Sequence, residues 1–70
     1  MQEVVQIYNN ISYLSKRKNI SINAIEKMAG LSIGSICKWN RVSPTVRNLI
    51  KVAKVLDCSI SDIIEHKPDM

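Results

Sequence analysis

From Ser32 to Thr45 the chain sets hydroxyls, a carboxamide and two cations close together: Ser32, Ser35, Lys38, Asn40, Arg41, Ser43 and Thr45. Groups of this kind donate hydrogen bonds to phosphate oxygens and to base edges. Catalytic chemistry has less to work with. The one histidine, His66, lies near the C-terminus with no nucleophile placed near it, and the acidic residues show no paired spacing within a glycine-rich or metal-binding context. No enzyme activity, cofactor or metal is therefore expected. Cys37 and Cys58 are too far apart and too isolated for a zinc site or a C-x-x-C pair. Both are expected to be free thiols in a reducing cytosol. Cys58 reads as a small buried hydrophobe, and Cys37 falls on the polar run, where redox control would need a cation or histidine to lower its pKa.

The elements that position this run are legible in residues 21–39, which read as two short helices separated by one tight turn. Gly30 supplies the positive φ with which a helix ends, and Ser21 and Ser32 are placed to cap the starts of the two helices. Ile25, Met28 and Ala29, then Leu31, then Ile36 and Trp39, recur at helical spacing, so that each helix turns one face to a shared core. Two helices joined so closely cross steeply, as in a helix-turn-helix whose second helix enters the major groove of B-DNA. In that geometry Ile33, Gly34 and Lys38 face base edges. Lys38 donates to guanine O6 or N7, Ile33 packs on a thymine methyl, and Gly34 brings the backbone close without reading anything itself. Phosphates are expected at Asn23, Ser32, Ser35, Asn40, Arg41, Ser43 and Thr45, and at the first amides of the helix that begins after Ser21.

The stretch resembles the helix-turn-helix of the phage repressor and Cro family, also called the xenobiotic-response-element family. Ile25, Gly30, Leu31, Ser32 and Ile36 fit that family's pattern, and the likeness continues through Trp39, the Ser43-Pro44-Thr45 turn, and the last two helices up to Ile64. The resemblance implies a DNA-binding regulator. Three departures stand out. Glu26 occupies the place of a small alanine, and its carboxylate is expected to reach solvent on its aliphatic stem. Ile22 stands where many members have glutamine, leaving its backbone N–H as the phosphate contact. Ser15 and Asn40 hold the places of an Arg–Glu pair, for which a neutral hydrogen bond is the expected replacement.

Charge agrees with a polyanionic partner. The chain of 70 residues carries +4 overall. Its middle, from Lys16 to Lys54, holds nine cations against the single Glu26, while the C-terminal part from Val55 onward is net acidic. A chain this short buries only about 60% of its unfolded surface, so one domain with an aliphatic helical core is expected. Three aromatic residues are too few for a base-stacking sheet. Neither a signal peptide nor an apolar run near the roughly 20 residues of a membrane span is present, which points to a cytoplasmic protein without membrane partners.

The expected fold is all-α, with five helices at about residues 2–17, 21–29, 32–40, 45–56 and 59–65, and a frayed tail at 67–70. Asn19 is suited to a left-handed helix end, Thr45 to a cap, and Ser59 with Asp62 to a capping box. Ile60, Ile63 and Ile64 give the last helix more aliphatic surface than one side buries, and they are the expected contact of a homodimer. No small-molecule effector domain is expected. The competing reading is a protein-interaction module, such as an antitoxin or a degenerate helix-turn-helix, because Ile22 and Ile33 put aliphatics on the proposed DNA face.

Overall fold

The computed structural model describes residues 6–64. Four α-helices follow one another: α1 Ile7–Lys18, α2 Ile22–Ala29, α3 Val46–Leu56 and α4 Ile60–Ile64. Between α2 and α3 the expected helix at residues 32–40 is replaced by turns around a single 3-10 turn, Ile36–Lys38. Among the described residues there are thus four α-helices and one 3-10 turn where five helices were expected. The start of the helix expected at 2–17, the end of that at 59–65, His66 and the tail at 67–70 lie outside the described residues.

Each of the first three helices stops where a residue accepts the left-handed conformation. Asn19 (φ 58°) ends α1, Gly30 (φ 75°) ends α2 and Asp57 (φ 55°) ends α3. In each case the following amide reaches back to a carbonyl of the last turn: Ile20 to Ser15 at 2.9 Å, Leu31 to Glu26 at 2.8 Å and Cys58 to Ala53 at 3.0 Å. Lys16, Arg17 and Lys18 crowd the last turn of α1, where they complement the negative end of the helix dipole.

Starts are equally explicit. Ser21 Oγ accepts from the Ala24 amide at 3.0 Å, Thr45 Oγ1 accepts from the Asn48 amide at 3.2 Å, and Ser59 and Asp62 accept from each other's amides at 3.2 and 3.1 Å. These are the caps and the capping box expected.

Ile11, Ile25, Ile36, Val52, Leu56 and Ile63 are fully buried and, with Ile7, Ala29, Trp39, Leu49 and Ala53, make one core shared by all elements. The firmest contact is α2 against α3, while α1 closes the core from the other side and packs on α4. Met28, expected to face inward, is 65% exposed, since the inward face of α2 is taken by Ile25, Glu26 and Ala29. Ile63 is wholly buried, which removes it from any dimer contact; Ile60 and Ile64 are half-buried against the same core.

Candidate nucleic-acid interface

Ile36 and Trp39 pin the segment between α2 and α3 to the core. Fully burying a side chain the size of isoleucine contributes about 1.5–3 kcal/mol, enough to fix where the segment sits. Two apolar anchors do not fix how its loop is turned. That is settled by Glu26. This side chain is 1% exposed, and its two carboxylate oxygens accept separately from the Gly34 and Ile36 amides, both at 3.0 Å. The expectation of a solvent-reaching carboxylate is overturned, because the elbow contains N–H donors that only an acceptor from α2 can satisfy. Ser32, expected to cap here with its hydroxyl, instead accepts the Ser35 amide on its backbone carbonyl at 3.1 Å.

The turn itself requires glycine. Gly34 has φ 90°, in the region that L side chains rarely adopt, although the space around it is open. With its amide held by Glu26, Gly34 shapes the backbone, and the residue that projects from the turn is its neighbour Ile33, 61% exposed. Cys37 is exposed and donates from Sγ to the Gly34 carbonyl at 3.0 Å. Lys38 is exposed one step further on, and its carbonyl accepts from both the Arg41 and Val42 amides at 2.9 Å, which turns the chain away.

At the far end, Asn40 is committed to α1. Its Oδ1 accepts from the Tyr8 amide at 2.9 Å and the Asn9 amide at 3.4 Å, and its Nδ2 donates to Asn9 Oδ1 at 3.1 Å. Gln6, the local residue before α1, makes no side-chain cap bond, so Asn40 caps α1 from 31 and 32 residues away. The neutral bond expected between Ser15 and Asn40 does not form: the buried Ser15 hydroxyl donates to its own helix at the Ser12 carbonyl, 2.8 Å. The phosphate contact expected of Asn40 is withdrawn, since α1 holds the carboxamide that would make it.

Of the remaining expected contacts, Asn23, Ser32, Arg41, Ser43 and Thr45 are exposed, with the Thr45 hydroxyl occupied as a cap, and Ser35 is half-buried. Ile22 packs its side chain on the core at the first position of α2, which leaves its backbone as the part available to a partner. Asn23 at the start of α2, Ile33 in the turn, Lys38 and Arg41 are thus all exposed. Glu26, like Met28, departs from the orientation that its sequence pattern predicts. Its position beside Ile25 on the inward face of α2 is the available signal, because a buried carboxylate implies donors facing it.

The model of the Cro/C1-type helix-turn-helix DNA-binding domain matches residues 10–69. The chain belongs to that family. It is 30% identical over 60 residues, with 81% of each chain covered, to YopS, an uncharacterised helix-turn-helix-type transcriptional regulator derived from the SPbeta prophage of Bacillus subtilis. The DNA-binding domain of the P22 c2 repressor in solution superposes with a TM-score of 0.78 at 27% identity, covering 93% of this chain and 88% of that one. The P22 c2 repressor in complex with a synthetic operator gives 0.74 at 28% identity, with 87% and 96% covered. No described helix is long and apolar enough to cross a membrane.

Proposed function

We propose that this Cro/C1-type domain is a cytoplasmic transcriptional regulator that reads double-stranded DNA in the major groove with residues 32–40. The observation that carries the reading is the pairing of exposed Ile33 and Lys38 on a backbone whose orientation is fixed from behind by buried Glu26, Ile36 and Trp39. Ile33 meets a thymine methyl, and Lys38 donates to guanine. Asn23, Ser32, Ser35, Arg41, Ser43 and the α2 amide of Ile22 hold phosphates on either side, with Thr45 contributing backbone. The operator complex of the related P22 c2 repressor supports DNA as the partner.

A short reading segment covers few base pairs, so two copies on a two-fold site are the remedy for competing genomic sequence. Ile60 and Ile64, half-buried on the net acidic end of the chain, remain the proposed dimer contact.

Selection of bound duplexes from a random pool tests the reading. A discrete palindromic consensus is expected; retention of DNA without enrichment of any sequence contradicts it. A protein-interaction module is the second reading, favoured by Val46 (65% exposed) and Ile50 (41% exposed), one turn apart on α3. Salt separates the two, because a phosphate-dominated complex weakens steeply between roughly 50 and 200 mM whereas an aliphatic contact changes little.

A further inference from the structure

We infer that Glu26 and Asn40 are positioning residues for base reading, two side-chain clamps that set the orientation of the segment between them without touching DNA. The inference rests on the DNA-reading function proposed above. Backbone hydrogen bonding within residues 32–40 consists of turn bonds three residues long, from the Ser35 amide to Ser32 at 3.1 Å, from Lys38 to Ser35 and from Trp39 to Ile36 at 3.0 Å, with no continuous α-helical ladder. The 3-10 turn spans three residues, and the Lys38 amide lies 3.4 Å from the Ser35 carbonyl. So short a helical piece has no stability of its own.

What holds the segment is directional and comes from elsewhere in the chain. At its front, the Glu26 oxygens engage two amides two residues apart, Gly34 and Ile36, and this prevents the Ile33–Gly34 turn from rotating about the buried Ile36 side chain. At its back, Asn40 joins the segment to the first turn of α1 through three hydrogen bonds. Ile33, Cys37 and Lys38 lie between the clamps and are exposed, so the clamps decide where these side chains point.

Base reading and phosphate holding respond differently to such clamps. A hydrogen bond to a base edge needs a set direction, whereas a lysine or arginine neutralises phosphate from many orientations. Loosening a clamp is therefore expected to remove sequence preference while leaving general DNA affinity in place. A residue that served stability alone would lower both together.

The test uses the duplex that the parent protein enriches from a random pool, a scrambled duplex of the same length, and the variants Glu26→Gln and Asn40→Ala. Glutamine keeps the volume of Glu26 but turns an N–H donor toward one of the two amides, whichever way the carboxamide faces. Affinity for the enriched duplex is expected to fall by about tenfold or more in Glu26→Gln, while affinity for the scrambled duplex stays within about threefold. Amide hydrogen exchange should quicken at Gly34 and Ile36 and stay slow in α3. Asn40→Ala is expected to show the same loss of preference on a smaller scale, with quicker exchange at Tyr8 and Asn9, and it decides the matter if Glu26→Gln does not fold. Parental discrimination in the folded variants, or an equal loss on both duplexes, overturns the inference. If the parent itself enriches no duplex, the DNA-reading function fails, and this inference falls with it.

Discussion

Removing the Glu26 side chain would leave the Gly34 and Ile36 amides facing an apolar core with no acceptor. Glu26→Ala is expected to lower stability by about 3 kcal/mol or more in thermal or denaturant melts, since hydrogen bonds to a charged group contribute about 1.5–3 kcal/mol each and both amides lose theirs. The better helix propensity of alanine offsets only a few tenths of that. Arg41 is exposed, and Arg41→Ala should weaken binding to every duplex by a similar factor and make the salt slope shallower by about 1, as one lost phosphate contact requires. The cysteines differ by environment. Burial pushes the Cys58 thiol above its ordinary pKa, Asp62 and Asp57 add to this and Lys18 opposes it, so Cys58 is held protonated through the mildly alkaline range. Its raised folded-state pKa means that less thiolate is present in the folded than in the unfolded chain as pH rises toward 9. Alkylation at pH 8 should therefore mark exposed Cys37 first, with Cys58 lagging until the chain is unfolded. Protection of Cys37 by the enriched duplex, without protection of Cys58, is the expected footprint.

Among the elements, the caps carry most of what the sequence declares. Ser21, Gly30, Asn19, Thr45 and the Ser59–Asp62 pair all act as their residue types and positions imply, because each is a local bond between neighbours in the chain. Thr45→Ala is expected to destabilise by about 0.5–2 kcal/mol for that reason, with the loss read from melts. The segment after Gly30 was less legible. Its apolar spacing at Ile36 and Trp39 fits a helix, yet Gly34 at φ 90° breaks the helical run and the amide partners come from α2. Asn40 illustrates the same limit, since a cap supplied to α1 from 31 and 32 residues away leaves no local pattern. Asp57 shows it in another form: aspartate tolerates the left-handed conformation, but nothing beside it in the chain marks it as the residue that will adopt it.

For the whole molecule, the charge gradient along the sequence separates the proposed reading segment from the proposed dimer contact. Cations are concentrated between Lys16 and Lys54, which includes the reading segment, and the net acidic end carries α4. The proposed two-fold dimer through Ile60 and Ile64 would keep that end away from phosphate. Ile64→Glu is expected to yield monomers in sedimentation at micromolar concentration and to weaken operator binding as the two half-sites become independent. A melt of the same variant controls for the packing that Ile64 also makes with the core. The central claim, that residues 32–40 read DNA sequence, is tested most directly by repeating the duplex selection with Lys38→Ala. If Lys38 reads a base, the consensus of the parent should return with one base pair in each half-site no longer specified, at a cost of about 1–3 kcal/mol on the parental site. A consensus identical to the parent's at every position, with undiminished affinity, would contradict it.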